Sequence, residues 1–384
     1  MEAPLKILTV YYKHKPGGFC KRIDMKIQAF LEKGWEVHTV SVEPLPYSHQ
    51  NHIDHILPSP AKHETFFFWL YFFTVSPWYI LFLTLKLNID LISAVSPVYA
   101  CLSLPGRWLK GIPMQTLILS KPRFMTGSRK MNPFLYSVER TMEKLGLSGS
   151  DLLIANSEGS KAEWSREYGR KAKNIEVLTN NVDEIQFNKK VQRSKLLNEF
   201  SLGSDYFVVA TASLLEPHKN IESLLSAFAK ISRPHTVLLV LGDGKDRERL
   251  IRISQNLGLQ DRTLFPGWRN DARTLIQGTD LFVLPSFREG MSESLLEAAT
   301  CEVPCLVSAI PENMEVIPNP EQHFPTDNPE VLASKIGRLI EDPEYYRELL
   351  SSTFNAKQRY VFDWKSILTQ KTGNLFKKPL ESKT

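Results

Sequence analysis

Two carboxylates, Glu289 and Glu297, stand eight positions apart around a short glycine-containing turn. The apolar run Leu281–Leu284 predicts a buried strand before this turn, and the apolar spacing after residue 294 predicts a helix behind it. A helix start offers unpaired N–H groups and partial positive charge, so the turn Gly290–Ser292 can bind a diphosphate while the carboxylates accept protons from hydroxyl groups. This polarity suits a nucleotide sugar.

The same residues allow a structural interpretation. Ser294 and Glu297 have the spacing of a helix capping box, and Glu289 would then be a solvated loop residue. That interpretation leaves the turn at Gly290 unexplained. The spacing alone leaves both interpretations open.

Lys219 is a second candidate for phosphate binding. It follows the predicted strand Tyr206–Ala212 and precedes a helix for which Asn220 is a good N-cap. The ammonium group is therefore expected beside a helix N-terminus, where it suits a diphosphate.

The N-terminal segment predicts a β-α-β unit, with strands Leu5–Tyr12 and Glu36–Val42 around a helix Ile23–Lys33. The loop at Gly17 and Gly18 lacks the third glycine of a dinucleotide-binding fingerprint, which argues against a dinucleotide site. We interpret it as a backbone turn that lets a substrate approach closely.

A chain of 384 residues suits two domains of similar size. Its hydrophobic content of 42% and charged content of 23% are ordinary for a soluble globular protein. The net charge of +5 is unevenly distributed, because residues 1–190 have a formal charge of +7 and residues 191–384 one of −2. The first half is therefore expected to meet an anionic partner or surface, with a solvated basic face as the alternative.

The four cysteines show neither a zinc-binding spacing nor a disulfide framework, so they are expected to be reduced and mostly buried. A histidine-rich stretch over residues 49–63 has no strong periodicity, and we interpret it as a surface loop. Metal binding is the alternative, through His49, His52, His55 and His63.

From Thr65 to Thr84 no residue is charged, and the run is long enough, at ~20 residues, to cross a bilayer as a helix. A single crossing would place two parts of one α/β domain on opposite sides of the membrane, and Pro77 breaks or kinks the run. Its tryptophans and tyrosines are of the kind favoured at a membrane interface. We therefore predict a helix or helical hairpin that docks on the membrane surface over residues 65–87. A buried aromatic helix and a true span are the alternatives.

The segment at residues 288–317, REGMSESLLEAATCEVPCLVSAIPENMEVI, resembles the E-x7-E segment of family 4 retaining glycosyltransferases of the GT-B fold. In that family the first glutamate holds the sugar hydroxyls, the second holds the nucleotide ribose, and the loop amides hold the phosphates. Glu289 and Glu297 match these positions. The sequence departs from the pattern at Glu302, where the family usually has glycine, and at Pro311-Glu312, where it often has Gly-Gly.

Other elements of this family follow in order along the chain. The element at Lys219 resembles GRL-x-x-x-KG/N, whose arginine and lysine neutralise the leaving diphosphate, but Leu214 occupies the arginine position. Gly242-Asp243-Gly244 resembles the G-x-G turn beside the nucleotide, and the element that ends at Trp268 resembles V-x-F-x-G, which reads the base. Ser120-Lys121 stands where many members have a histidine, so no catalytic histidine is implied.

The resemblance implies two catalytic residues, Glu289 and Lys219, and metal-independent transfer without a cofactor. Basic residues after Ser120 are candidates for contact with an anionic acceptor: Arg123, Arg129 and Lys130. The donor-binding residues that the resemblance implies are Gly17, Gly18, Gly242, Asp243, Gly244, Trp268, Gly290, Met291, Ser292, Ser294, Leu295 and Glu297.

The predicted fold class is α/β, a GT-B arrangement of two Rossmann-like doubly wound domains that face each other across a cleft. An acceptor-binding domain is predicted over residues 1–190 and a nucleotide-sugar-binding domain over residues 205–365. The polar, charged segment 191–204 is interpreted as a linker and hinge, and residues 366–384 as a C-terminal helix and tail.

These features predict a retaining hexosyltransferase of polysaccharide biosynthesis, which moves a sugar from a nucleotide diphosphate sugar to a lipid-linked or glycan acceptor. The other expected partner is an anionic membrane surface, and no nucleic acid is expected. The expected location is cytoplasmic, peripheral on the inner face of the membrane. One alternative is a nucleotide-sugar epimerase or hydrolase. The other is a catalytically impaired subunit of a glycosylation complex, which binds a nucleotide sugar without turnover; Leu214 and the absent histidine favour this second alternative.

Overall fold

The computed structural model describes residues 4–14, 17–46, 49–59, 62–63, 65–122, 133–172, 174–183 and 189–376. The chain divides into two compact units. The first comprises Met1–Thr179 and Asp363–Thr384, and the second comprises Asn180–Phe362.

The first unit contains a seven-stranded sheet. Its strands are β1 (Lys6–Val10), β2 (Glu36–Ser41), β3 (His52–Ile56), β4 (Leu91–Ala94), β5 (Met114–Ile118), β6 (Leu152–Ala155) and β7 (Ile175–Val177). They pair in parallel in the order β3-β2-β1-β4-β5-β6-β7. The direction of strand order reverses between β1 and β4, and ligands bind beyond the carboxyl ends of the strands at such a switch point.

Helices cover this sheet, as parallel sheets require. Those described in the first unit are α1 (Gly18–Glu32), α2 (Phe66–Lys86), α3 (Pro97–Lys110), α4 (Pro133–Gly149), α5 (Glu158–Tyr168) and the last helix of the chain, α14 (Trp364–Gly373). Short 3-10 turns lie at Gly169–Ala172 and Asn374–Phe376.

The second unit repeats the doubly wound design with six strands. They are β8 (Phe207–Ala212), β9 (Thr236–Leu241), β10 (Thr263–Gly267), β11 (Leu281–Leu284), β12 (Cys305–Ser308) and β13 (His323–Phe324). The order is β10-β9-β8-β11-β12-β13, and the pairs are parallel. The switch point of this sheet therefore lies between β8 and β11.

The helices described in the second unit lie on both faces of its sheet. They are α6 (Lys189–Glu199), α7 (Ile221–Phe228), α8 (Arg247–Asn256), α9 (Ala272–Gln277), α10 (Glu293–Thr300), α11 (Pro311–Val316), α12 (Pro329–Glu341) and α13 (Pro343–Tyr360), with 3-10 turns at Pro217–Lys219 and Pro320–Gln322. Successive strand residues enter different apolar layers: Val208 and Ala210 pack in one core, and Val209 packs in the other. This explains why the strands are continuously apolar rather than alternating.

The segment interpreted as a linker is instead mostly helical and belongs to the second unit. Helix α6 spans most of it, and Leu196 is fully buried in the core of that unit. A guanidinium nitrogen of Arg193 lies 2.9 Å from Oδ2 of Asp280. The segment looks like a linker in sequence because Leu196 is the only fully buried residue of α6, while Leu197, Phe200 and Leu202 pack against the core only partly buried.

The histidine-rich stretch forms strand β3, so its interpretation as a surface loop was wrong for residues 52–56. The strand pairs in parallel with β2, and Nε2 of His55 lies 2.9 Å from Nδ1 of His38. Burial lowers the pKa of His38, His52 and His55. Among the residues that the structure describes, no group of three or more His, Cys, Asp and Glu side chains could hold a metal ion. None of the four cysteines forms a disulfide, and three of them are buried.

Helix α2 runs without a break through Pro77, so the helical hairpin is excluded. One face packs into the first unit through Phe68, Phe72 and Ile80, which are fully buried. The opposite face exposes apolar side chains, of which Trp78 is 70% exposed. Among the helices described, α2 is long and apolar enough to cross a membrane by length and composition alone, and 28% of its most apolar window is buried.

The C-terminal helix begins at Trp364 rather than at residue 366, and it belongs to the first unit. Asp363 accepts a hydrogen bond from the N–H of Ser366 and starts α14. Trp364 is buried, with the guanidinium of Arg22 5.0 Å from its ring centre. The second unit therefore ends at Phe362 rather than at residue 365, and α14 is part of the first unit rather than a separate tail.

Candidate active site

Glu289 and Lys219 contact each other at the switch point of the second sheet. Lys219 closes the turn that follows β8, and Glu289 follows the neighbouring strand β11. Nζ of Lys219 lies 2.8 Å from both carboxylate oxygens of Glu289, whose side chain is only 7% exposed. The structure thus brings the two implied catalytic residues together from positions 70 residues apart.

Asn220 holds the two loops in place. Its backbone is left-handed, with φ 55° and ψ 34°, a conformation that asparagine tolerates well. Its side-chain amide donates to the carbonyl oxygens of Pro285 at 3.1 Å and Thr326 at 2.9 Å. The N–H of Phe287 donates to the carbonyl of His218 at 2.9 Å. The prediction that the Asn220 side chain caps α7 was wrong, because it bonds to neighbouring loops instead.

Ser286 is a site residue that sequence reasoning missed. It is fully buried just beyond β11, and its hydroxyl donates to Oε1 of Glu289 at 2.6 Å. The carboxylate therefore accepts hydrogen bonds from an ammonium group and from a hydroxyl group. A serine three positions before the glutamate and directly after a predicted strand was the available signal.

His218 and Arg288 add to the electrostatics of these loops. Burial lowers the pKa of His218, and the positive charges of Lys219 and Arg288 lower it further, while Glu289 acts in the opposite direction. A neutral imidazole is therefore favoured here at neutral pH. Leu214, at the family's arginine position, is 42% exposed.

Ser292 caps helix α10. Its hydroxyl oxygen accepts the N–H of Leu295 at 3.3 Å and lies 3.1 Å from the hydroxyl of Ser294. The helix begins at Glu293, so Glu297 lies in its second turn rather than in its first. The capping-box interpretation of Ser294 and Glu297 is therefore wrong, because the cap stands two residues earlier.

The other predicted residues of this segment differ in exposure. Leu295 is fully buried in the apolar core, and its N–H is already donated to the cap. Met291 is also buried, and its carbonyl accepts from the side-chain amide of Asn180 at 3.2 Å. Gly290, Ser294 and Glu297 are partly exposed. Leu295 thus supports the turn from beneath rather than lining it.

The turn Gly242–Gly244 packs directly on the loop that leads to Lys219. A Cβ atom on Gly242 would lie 1.9 Å from the carbonyl oxygen of Ser213, and one on Gly244 would lie 2.4 Å from that of Leu215. The N–H of Leu215 donates to the carbonyl of Asp243 at 2.8 Å, and the Asp243 side chain is exposed. These glycines allow a close approach of two backbones that no larger residue could make.

Trp268 directly follows β10, the strand that pairs with β9 beside the glycine turn. The N–H of Gly242 donates to the carbonyl of Gly267 at 2.9 Å, which joins β10 to the turn. The indole of Trp268 is partly exposed and donates to Oδ1 of Asn270 at 3.2 Å. The elements at Lys219, Gly242 and Trp268 are therefore contiguous in the second unit.

Gly17 and Gly18 belong to the first unit and lie after β1, beside the switch point of that sheet. Gly17 has φ 140°, and Gly18 is the first residue of α1. Lys13 in the same loop pairs with Glu43 at 3.0 Å. The acceptor candidates Arg123, Arg129 and Lys130 lie outside the described residues.

Comparison with known proteins agrees with this architecture. Residues 192–355 match the family model of glycosyl transferases group 1. The chain is 27% identical over 209 residues to N-acetyl-alpha-D-glucosaminyl L-malate synthase of Bacillus anthracis, with 54% of each chain covered. It is 32% identical over 151 residues to the UDP-Gal:alpha-D-GlcNAc-diphosphoundecaprenol alpha-1,3-galactosyltransferase of Escherichia coli, with 38% of this chain and 39% of that enzyme covered.

These alignments span about half and two-fifths of the two curated relatives. Among solved structures, sucrose-phosphate synthase from Thermosynechococcus elongatus superposes with a TM-score of 0.79 at 20% identity, covering 97% of this chain and 98% of that one. The likeness extends over both doubly wound units and shows the GT-B fold. Residues 192–355, which lie in the second unit, are thus similar to the group 1 glycosyltransferases.

Proposed function

We propose that this glycosyltransferase transfers a hexosyl group from a nucleotide diphosphate sugar to a lipid-linked or glycan acceptor, with retention of the anomeric configuration. The observation that supports this most directly is the contact between Lys219 and Glu289 at the switch point of the second sheet. An ammonium group suits the diphosphate, and a carboxylate suits the hydroxyl groups of the sugar.

In the proposed reaction, the bond from the anomeric carbon to the diphosphate oxygen breaks, and a bond to the acceptor oxygen forms on the same face. The leaving phosphate takes the acceptor's proton, so a nucleoside diphosphate is released. Lys219 stabilises the negative charge that develops on the diphosphate, and Glu289 orients the sugar through its hydroxyl groups. Arg288 is a candidate for the second positive charge, since Leu214 cannot supply it.

Glu297 and the turn Gly242–Gly244 are the proposed contacts of the nucleotide. The partly exposed carboxylate on α10 would accept the ribose hydroxyls, and the backbone of the glycine turn would lie against the base and ribose. Gly17 and Gly18 are the proposed contact of the first unit with substrate. The proposal needs no metal ion or cofactor.

The proposed acceptor is of the same class as that of the Escherichia coli relative, which is named for transfer to a sugar on diphosphoundecaprenol. A lipid-linked acceptor places the reaction at a membrane surface, and we propose that α2 docks there. Its buried face fixes the helix to the first unit, so its exposed aromatic face is available to lipid. The excess of basic residues in the first half of the chain favours an anionic membrane on the cytoplasmic side.

The transfer proposal is tested by removing the carboxylate. UDP-, GDP- and ADP-sugars are first screened by thermal shift, because a bound donor stabilises the folded state. With the donor so identified, we expect Glu289→Ala to lower transfer by about 10²- to 10³-fold, since the sugar loses its orienting partner. The matched control is Glu330→Ala, an exposed carboxylate of the same unit, which should retain full activity.

Product analysis separates the alternatives. Nucleoside diphosphate release that requires acceptor supports transfer, whereas release without acceptor indicates hydrolysis. Binding of a nucleotide sugar without release indicates a non-catalytic subunit. Wild-type transfer by Glu289→Ala would remove Glu289 from the site.

Membrane docking is tested by flotation with liposomes that contain phosphatidylserine. The test variant replaces the most exposed apolar residues of α2, Phe66, Phe67 and Trp78, by serine. We expect it to stay in the unbound fraction while the wild type floats, because the apolar face is what enters the interface. The control is Phe354→Ser, an exposed aromatic of the second unit, and equal flotation of test variant and wild type would contradict docking.

A further inference from the structure

A chain of buried hydrogen bonds reaches Glu289 from beneath. Its members are Asn313 on α11, Ser308 at the end of β12, and Ser286 just beyond β11, and the side chains of all three are fully buried. Strands β11 and β12 are neighbours in the sheet, with Leu284 opposite Val307. Two strand ends and one helix start therefore meet under the carboxylate.

The direction of each hydrogen bond follows from the groups involved. The amide nitrogen of Asn313 lies 3.3 Å from the carbonyl oxygen of Ser308, which can only accept, so this atom is the donor. It also lies 2.9 Å from the hydroxyl oxygen of Ser308 and must donate there too. The Ser308 hydroxyl therefore gives its single proton to the carbonyl of Ser286, at 2.6 Å.

The last link is the hydroxyl of Ser286, which donates to Oε1 of Glu289 at 2.6 Å. Each hydroxyl has one proton, and each donates it toward Glu289: Ser308 to the carbonyl of Ser286, and Ser286 to the carboxylate. Ser286 is further fixed by the bond from Asn220 to the neighbouring carbonyl of Pro285. The result is a hydroxyl that cannot rotate away from Glu289 without leaving buried polar groups unpaired.

We infer that Ser286, held by Ser308 and Asn313, is a positioning residue that orients the Glu289 carboxylate toward the sugar of the donor. This rests on the proposed function, in which Glu289 binds the sugar hydroxyls. Lys219 holds the same carboxylate, but its flexible ammonium group also serves the diphosphate when a donor binds. The buried serine is then the contact that keeps the carboxylate in one orientation.

The structural alternative is that these bonds only satisfy polar groups at the ends of two buried strands. The two interpretations differ in what a deletion should change. If the bonds only stabilise the fold, their loss should lower nucleotide binding, sugar binding and turnover together. Loss of positioning would lower only the steps that depend on the sugar, because in the proposed site Glu289 contacts the sugar and Lys219 contacts the diphosphate.

The test is Ser286→Ala, measured at a temperature below its unfolding transition. We expect kcat to fall about 10- to 100-fold, since small misplacement of a catalytic group has effects of this size. The affinity for the nucleoside diphosphate alone, whichever of UDP, GDP and ADP stabilises the wild type, should stay within about twofold. Ser308→Ala is the second variant, with an expected decrease of about 3- to 10-fold, because it loosens Ser286 without deleting its hydroxyl.

The matched control is Thr300→Val, which deletes a buried hydroxyl of α10 that bonds only to its own helix among the described contacts. It should leave kcat unchanged. Full kcat in a folded Ser286→Ala or Ser308→Ala variant would overturn the inference, and so would an equal loss of nucleoside diphosphate affinity.

A binding measurement separates this inference from the proposed reaction. The ratio of nucleotide-sugar affinity to nucleoside diphosphate affinity reports the sugar contact and requires no turnover. If the wild type binds the sugar preferentially but transfers nothing, the proposed reaction fails, and a reduced ratio in Ser286→Ala still supports positioning. If transfer is normal and the ratio and kcat are unaffected by the substitution, only the positioning role fails.

Discussion

The two units have the same doubly wound topology but different side chains at their switch points. In the second unit, the loops after β8 and β11 contain an ammonium–carboxylate pair and are tied together by Asn220. In the first unit, the loop after β1 contains Gly17, and aromatic residues gather around it: the rings of Tyr12 and Trp69 lie 5.0 Å apart, and those of Tyr11 and Phe19 5.6 Å.

The two loops are therefore held in place in different ways. A network of directed polar bonds fixes a few atoms and suits one invariant ligand group, such as a diphosphate sugar. In the aromatic cluster of the first unit, Tyr11 and Tyr12 are only 7% and 8% exposed, so this cluster holds its loop by packing. We therefore expect a substitution in one unit to change the stability or binding of that unit and not of the other. Three sets of variants test this, in order of decreasing effect.

The largest effect is expected from Trp364→Ala. Trp364 comes late in the chain but is buried in the first unit against Arg22. Removing it should lower the free energy of unfolding of the first unit by about 3–5 kcal/mol, as for large aromatic truncations in a core. Hydrogen exchange should show the loss in β1, and β8 should remain protected.

Phe354→Ala is the matched control, because this ring is exposed on α13 of the second unit. It should change the stability of either unit by less than about 0.5 kcal/mol. A loss of protection centred on β8 in Trp364→Ala would place α14 with the second unit and contradict the division of the chain.

A smaller effect is expected from alanine at two glycines in the predicted substrate loops. A Cβ atom on Gly242 would meet the Ser213 carbonyl at 1.9 Å, so Gly242→Ala should destabilise the second unit by about 2–4 kcal/mol and weaken nucleoside diphosphate binding. A Cβ atom on Gly17 meets no described atom within 4 Å. Gly17→Ala should therefore cost about 1–3 kcal/mol, from its backbone conformation alone.

Urea unfolding and isothermal titration of the two glycine variants measure these differences. Equal losses of stability would mean that the close contact of the backbones at Gly242 relaxes freely. In that case the turn at Gly242 in the second unit is no more rigid than the loop at Gly17 in the first unit.

The smallest effect per pH unit is expected from Lys26, a fully buried lysine of the first unit. It donates to Thr9 at 2.7 Å and to the carbonyl of Ser93 at 2.9 Å, and burial lowers its pKa to about 7. Between pH 7 and the ordinary value of 10.5, the unfolded chain binds a proton that the folded chain does not. The stability of the first unit should therefore rise with pH in this window, by at most about 1.4 kcal/mol per pH unit.

Lys26→Met is the comparison, since it retains the length of the side chain and removes the titrating group. Thermal unfolding of the two proteins at pH 7 and pH 9 measures the effect. The same rise with pH in Lys26→Met would show that another group is responsible.

Much of the secondary structure could be predicted from sequence. Strand β11 has the predicted bounds, and β1, β2 and β8 lie within the predicted strands, because each is a short run rich in apolar and β-branched residues. The pattern missed the edge strand β3, because its sequence, HIDHI, does not alternate between apolar and polar residues. It also misassigned α6, where Leu196 alone is fully buried. Periodicity reports burial, and elements with little burial give little signal.

Part of the candidate site could be predicted as well. Glu289, Lys219 and the glycine turn were found because their types and local spacing match a known pattern. Ser286 and Asn220 were missed or misassigned because their partners lie in other loops, at positions that local spacing does not relate.

The sequence by itself determined most of the strands and helices and which residues have the chemistry for a sugar and a diphosphate. Those properties depend on neighbours within a few positions along the chain. Only the tertiary structure decided that Lys219 meets Glu289, that Asn313 and Ser308 support Ser286, and that the last helix packs on the first unit. Contacts across tens or hundreds of residues depend on how the sheets pack, and local spacing contains no record of that packing.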